Sequence, residues 1–499
     1  MDIRSSLIGD ILTRSGEQYP DTIAVRFTDR SWTYRQLDLA VTSVAARLLE
    51  SGLSKGDRVA AYGKNSDTFL IGFLACVRAG LVHVPVNFQL TGDALSYIVT
   101  QSGARAVLLD SALAANFDRM PGERPSTVLR FDGELLDWAL EGSADDGVDP
   151  AIFDVSDTDV AQLLYTSGTT AAPKGAVMTH RALVHHYVSS IVALDFTEHD
   201  EVLHALPLYH SAQMHVFLMP NLAMGATNHI IPAPTPDAIL GAIAEHHIDS
   251  FFAAPTVWVA LANSSGLERL ASLRKAYYGA SIMPVTVLRR LQEQFPDIGF
   301  YNCFGQSEMG PLCTVLRPED HADRPGSAGK PILFVSLRLV GPDGADVAPG
   351  EPGEVLYRSP QLCEGYWDKP DETAAAFSGG WFHSGDLATQ DDQGYITIVD
   401  RLRDVINTGG IVVASREIED VVYELGAVGE VAVVGVPDDK WIEAVTAFIV
   451  RKGDLTADEV IEHARSRLAA YKVPKRIEFV AELPRNASGK ILKRELRTR

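Results

Sequence analysis

Up to about residue 400, short apolar runs of β-forming residues, such as Val59-Ala60-Ala61-Tyr62 and Ala106-Val107-Leu108-Leu109, alternate with longer amphipathic stretches such as Tyr34 to Leu49. Parallel neighbours need a crossover long enough to hold a helix, so this alternation predicts parallel strands linked by helices. From Glu351 the texture changes to short strands with close turn signals, Gly353 to Tyr357 and Gly394 to Val399, which predicts a small β-rich subdomain. Past Asp400-Arg401-Leu402-Arg403 the pattern predicts a helix from Ser415 to Leu425, strands at Glu430 to Val436 and Ala444 to Val450, and a helix from Ala457 to Ala470. The expected organisation is a large N-terminal α/β domain of mixed sheets and helices over 1–400, β-rich subdomain included, and a small α+β domain over 404–499.

The chain's 499 residues, 46% of them hydrophobic, are enough for more than one unit with a large buried core. Its 44 basic and 65 acidic residues give a net charge of −21, which disfavours broad binding to nucleic acid or anionic lipid. The four cysteines, Cys76, Cys303, Cys313 and Cys363, lie far apart, as reduced buried thiols would, with neither zinc-site nor disulfide spacing. Asp2, Arg4, Asp10 and Arg14 interrupt the apolar stretch an export signal needs. Arg78 and Asn221 break the best candidates for a membrane span. These features predict a cytoplasmic protein with no membrane span and no nucleic-acid partner.

The stretch richest in chemistry is Leu164-Tyr165-Thr166-Ser167-Gly168-Thr169-Thr170-Ala171-Ala172-Pro173-Lys174-Gly175. Four hydroxyls, a glycine and a lysine directly after a β-like run make a loop whose amides, hydroxyls and ammonium can surround a polyphosphate. Gly175 stands where a Walker loop has Ser or Thr, so this is a different phosphate loop. Read on composition alone, the same stretch would also serve as an exposed Ser/Thr linker.

This segment closely resembles the signature of the acyl-adenylate-forming (AMP-binding) superfamily, and further matches follow in that family's order over nearly the whole chain. Pro207-Leu208-Tyr209-His210 is similar to the aromatic-His element beside the acyl site, and Tyr278-Gly279-Ala280-Ser281 to the strand end that lies against adenine. Tyr301 to Glu308 matches the next motif, with Phe304 and Ser307 in place of the common Tyr and Thr. The resemblance implies nucleotide contacts at Phe304, Gly305, Gln306 and Ser307, and Mg²⁺ held by Glu308 with Thr166. It further implies ribose contacts at Asp386, within Trp381 to Asp386, and at Arg401, a hinge at 401–403 centred on Arg403, and a mobile lid over 404–499. Lys490, displayed by the turn Pro484 to Lys490, matches the catalytic lysine that bridges substrate carboxylate and α-phosphate.

The implied reaction attaches AMP to a carboxylic acid, releasing pyrophosphate, and then passes the acyl group to the thiol of coenzyme A. Asn407 to Glu417, containing Gly409 and Gly410, departs from the family's usual thiol-side sequence, as does Trp441-Ile442-Glu443. The phosphopantetheine of an acyl carrier protein is therefore a second candidate acceptor. The expected acyl pocket, formed by Gln213, Met214 and Phe217 together with Trp258 and Gly279, carries neither a cation for a second carboxylate nor an Asp for an amino group. Such a pocket suits a medium- to long-chain fatty acid better than an aryl acid. The other readings are a silent nucleotide-binding regulator, a luciferase-like oxidase, and a phosphotransferase that releases ADP. The oligomeric state is open between monomer and homodimer.

Overall fold

The structure is a computed structural model that describes residues 6–144, 147–149, 152–166, 172–281, 283–409, 411–438, 440–485 and 491–497. The chain forms two compact units: Met1–Thr166, Pro173–Ser336 and Arg358–Phe377 make one, and Ser167–Ala172, Leu337–Tyr357 and Ser378–Arg499 the other.

The first unit is a mixed α/β body built on two sheets. Its six-stranded sheet runs in the order Thr127–Arg130, Ala104–Leu109, Arg58–Tyr62, Val82–Val86, Val160–Thr166, Lys174–Thr179, parallel except for the last pair. The nine-stranded sheet has a parallel centre, Gly299–Gly305, Lys275–Gly279, Ser250–Ala253, Glu201–His204, Thr227–Ile230 and Ile23–Phe27, with antiparallel strands at both edges. Val59 to Tyr62 and Ala106 to Leu109 are fully buried, which is why these strands read as continuous apolar runs.

The expected helix at Tyr34 is Tyr34–Glu50, started by a capping box between Thr33 and Gln36. Its stripe Leu37, Val41, Val44 and Leu48 is fully buried against the helix Asp67–Arg78. Burying each of these side chains contributes about 1.5–3 kcal/mol.

The second unit holds most of a four-stranded sheet in the order Ser336–Val340, Gly353–Arg358, Phe382–Gln390, Ile396–Arg401, whose last three strands pair antiparallel. A second sheet, with Ile442–Arg451 at its centre paired antiparallel to Val428–Asp438 at its edge, packs against the helices Ser415–Tyr423 and Ala457–Arg467. The last helix stops three residues before the expected Ala470, because the backbone turns extended at Leu468. Among the described residues no helix is long and apolar enough to cross a membrane.

Candidate active site

In the first unit the strands Val160–Thr166 and Lys174–Thr179 pair antiparallel on either side of the expected phosphate loop. Thr166 pairs with Lys174 at its base, and Tyr165 lies across Gly175, where a Cβ would meet the tyrosine ring at 3.1 Å. Ser167, Gly168, Thr169 and Thr170 lie outside the described residues. Lys174 directs its ammonium over the ring of Tyr366, 4.9 Å from the centroid. The Tyr366 hydroxyl donates to Glu308 Oε1 at 3.0 Å. Tyr366 is carried there by a backbone bridge to Ala176, reinforced by the Val177–Gly365, Glu364–Val177 and Trp367–Gly175 hydrogen bonds. One phenol thus holds both the loop lysine and the candidate metal carboxylate, and the sequence reading did not single it out. Its only sequence signal is Gly365-Tyr366-Trp367, an aromatic pair in a short β-like run.

Glu308 sits in the single turn Ser307–Met309, almost fully buried. The turn is tight at Gly305, where a Cβ would lie 1.9 Å from the Pro311 carbonyl oxygen, so only glycine fits. Ser307 Oγ meets Ser211 Oγ at 3.0 Å, joining this turn to the segment that follows His210. Gln306 Nε2 is buried without a protein partner, an orphan donor that a purine nitrogen or a phosphate oxygen would satisfy. Among the described residues no three His, Cys, Asp or Glu side chains gather as a metal cage. A lone buried carboxylate fits a Mg²⁺ that brings most of its ligands as water and nucleotide oxygens.

Gly279 ends its strand opposite Cys303, and a Cβ there would lie 2.1 Å from the Cys303 carbonyl oxygen. The sequence reading tied this glycine to a flat ring approaching the backbone; in the structure the neighbouring strand already occupies that direction. Ala280 follows with φ +65°, and both Ala280 and Ser281 are exposed.

On the acyl side, Tyr209 and His210 stack at 4.9 Å, and His210 is exposed. Gln213, Met214 and Phe217 lie on a π-helix, Ala212–Leu218. Phe217 stacks on Phe252 at 4.3 Å, whereas Met214 belongs to the cluster around the six-stranded sheet. Trp258 is in a third cluster, fully buried, with its indole N–H donating to the Tyr277 carbonyl at 3.1 Å. Three of the four expected pocket residues thus share the π-helix, and Tyr277 stands between Phe217, 5.1 Å from its ring, and Trp258.

In the second unit Asp386 and Arg401 pair across two strands, with Nε 2.6 Å from Oδ1 and the carboxylate almost fully buried. Arg403 is half-buried beside Arg401, and burial first, then that neighbouring cation, lowers its pKa. Its carbonyl accepts from Arg497 at 2.6 Å. Gly409 has φ +63° and donates to the Trp441 carbonyl at 2.6 Å, while Lys440 and Lys475 stand 4.9 and 5.2 Å from the Trp441 ring. Gly410 and Lys490 lie outside the described residues. The chain on either side of 486–490 is joined by a bridge between Arg485 and Ile491. Just beyond, Lys493 donates to Ser415 Oγ at 2.6 Å and pairs with Glu419 at 2.8 Å.

Comparison with known families gives a match to "AMP-binding enzyme" over residues 12–367 and to "AMP-binding enzyme C-terminal domain" over 417–490. A feruloyl-CoA synthase of an Amycolatopsis species is 36% identical over 501 residues, covering 100% of both chains. A long-chain-fatty-acid–CoA ligase of Mycobacterium tuberculosis is 33% identical over 477 residues, covering 94% of this chain and 93% of the other. Among solved structures, an anthranilate CoA ligase in complex with anthranoyl-AMP superposes with a TM-score of 0.91 at 27% identity, over 99% of this chain and 97% of that one.

Proposed function

The chain belongs to the AMP-binding enzyme family, and from that premise we propose which acid it activates, which thiol receives the acyl group and which residues act. It is an AMP-forming acid–thiol ligase rather than a silent nucleotide binder: with ATP and Mg²⁺ it adenylates a carboxylic acid and then forms a thioester. An acid cannot expel oxide, so exchanging that oxygen for AMP provides a leaving group before the thiol attacks.

The observation that carries the assignment of roles is the Lys174–Tyr366–Glu308 contact. Lys174 and the hydroxyls of Thr166 to Thr170 take the outgoing phosphates, and Ser307 takes a phosphate oxygen. Mg²⁺, held by Glu308 and Thr166, supplies the positive charge under which pyrophosphate leaves. Gly279, Ala280, Ser281, Phe304, Gly305 and Gln306 border the adenine, and Asp386 and Arg401 take the ribose hydroxyls. Lys490 stabilises charge on the α-phosphate as the acid oxygen attacks, and His210 borders the acyl site. Arg403 is the pivot of a hinge at 401–403, and Gly409 and Gly410 serve the thiol.

We read the acid as a medium- to long-chain fatty acid. Burial lowers the pKa of His83 and His186 to about 3 and of His204 to about 4, and pushes that of His215 well down, so the imidazoles around the π-helix are neutral. A neutral surround favours an uncharged, apolar tail. An aryl acid is the second reading, favoured by the 36% identity to a feruloyl-CoA synthase. Coenzyme A is the acceptor we favour, because an indole flanked by two ammoniums suits an adenine that carries phosphates. A carrier-protein phosphopantetheine is the alternative.

The test is mass-spectrometric product analysis with ATP, Mg²⁺ and a panel of fatty and aryl acids, with no thiol, with coenzyme A and with a pantetheinylated carrier protein. Fatty acyl-AMP without thiol and fatty acyl-CoA with coenzyme A are expected. Aryl products, or conversion only on the carrier protein, would move the assignment to the alternative.

A further inference from the structure

The backbone after His210 adopts a π-helix, Ala212–Leu218, a rare form often found at functional sites. Two of its side chains, Gln213 and His215, are 1% and 0% exposed and reach into different sheets.

Gln213 starts a chain whose donors and acceptors can be assigned from both ends. The Leu206 amide donates to Gln213 Oε1 at 3.3 Å, so Gln213 Nε2 donates to His204 Nδ1 at 2.7 Å. His204 then carries its proton on Nε2 and donates to Asn228 Oδ1 at 2.8 Å. The Asn228 Nδ2 group ends the chain on the carbonyls of Ala24 and Ala226, both at 3.0 Å, which independently fixes which way that amide faces. This relay ties the π-helix to the nine-stranded sheet.

His215 starts the other relay. Its Nε2 lies 2.6 Å from Gln162 Oε1, and Gln162 Nε2 lies 2.9 Å from His83 Nδ1, the two residues being ladder partners in the six-stranded sheet. His215 Nδ1 meets the Tyr187 hydroxyl at 2.8 Å on the helix His180–Leu194. Phe73 presents an edge to both imidazoles, 5.2 and 5.6 Å away. Both ends of the Gln213 amide and both nitrogens of His215 therefore have protein partners. The residues just before the π-helix differ: His210 is exposed, and Ser211 Oγ meets Ser307 Oγ beside Glu308.

We propose that Gln213 and His215 are positioning residues for acid activation, which hold the π-helical turn between two sheets and so fix Tyr209, His210 and Ser211 against the Glu308 turn. They touch no substrate; they set how the acid is presented to the nucleotide. The proposal rests on the adenylation reading above.

Tyr187→Phe and Gln213→Met test it, each removing hydrogen bonds while nearly conserving volume, singly and together. The readouts are pyrophosphate-exchange kinetics with whichever acid the wild type adenylates, Mg·ATP affinity by calorimetry, and melting temperature. Each single variant is expected to raise the acid KM, or lower kcat, about ten-fold, since a displacement of an ångström is costly to catalysis. Mg·ATP affinity should stay within about two-fold, and the paired variant should lose little more than the worse single one, because both act through one turn. His215→Gln, which keeps a donor and an acceptor, should retain more activity than His215→Leu. A lower melting temperature with unchanged acid kinetics, or equal losses toward acid and ATP, would overturn the proposal. A wild type that binds Mg·ATP but adenylates no acid would remove the reading on which the proposal rests, and the proposal with it.

Discussion

Tyr366 connects Lys174 and Glu308, and its hydroxyl and ring act on different partners. Tyr366→Phe keeps the ring under Lys174 but releases Glu308 from its donor. A lost hydrogen bond to a charged group is worth about 1.5–3 kcal/mol, so the Mg²⁺ concentration for half-maximal pyrophosphate exchange should rise by about ten-fold or more, with acid KM unchanged. A titration that does not move would show that Glu308 is held by other means. Lys490→Ala separates the two half-reactions: adenylation should fall by about a hundred- to a thousand-fold, while thioester formation from preformed acyl-AMP continues. Equal loss in both would count against the role given to this lysine. Lys174, Glu308 and Asp386 could be singled out as candidates because their motifs are local runs of sequence. Tyr366 was not, because the strand pairing that places it spans almost 200 positions and leaves only an aromatic pair as its trace.

Elements were read most accurately where one face alone decides burial. The helix Tyr34–Glu50 ends one residue beyond its expected limit, and the strand Arg58–Tyr62 begins one residue early. The segment after His210 was harder, because a run of buried side chains has no period that distinguishes a π-helix from other helices. Its glutamine resembled pocket lining in sequence, and Gln213 and His215 are anchored to partners 9 and 53 positions away. The strand ending at Gly279 yields a sharper prediction. An added methyl would overlap the Cys303 carbonyl oxygen, so Gly279→Ala must push two central parallel strands apart. Overpacking of this kind costs about 1–3 kcal/mol, and the melting temperature should fall measurably; an unchanged value would mean that the strand ends separate freely.

At the scale of the molecule, the buried neutral histidines set a limit on acid tolerance. Burial depresses the pKa of His83 and His186 to about 3, and of His180 and His204 to about 4, against 6.5 for a free imidazole. A depressed histidine pKa means that the folded state binds fewer protons than the unfolded one. The contribution is therefore fully present above pH 6.5 and is lost progressively as the pH falls toward 3–4. Unfolding at pH 5 should take up on the order of four protons from these groups, seen as a steep fall of melting temperature below about pH 6; a flat profile from pH 7 to 5 would contradict it. The C-terminal end has a mechanical counterpart. Lys493 is tied to Ser415 and Glu419 on the helix Ser415–Tyr423, and Arg497 to the Arg403 carbonyl, so the residues just after 486–490 are fastened to that helix and to the proposed pivot. A turn at that pivot would then be passed to the chain just beyond the expected lysine turn without slack, as through a rigid crank. The enzyme would keep strict time between its two chemistries, and loosening either fastening would show first as lost synchrony, with acyl-AMP escaping before the thiol arrives.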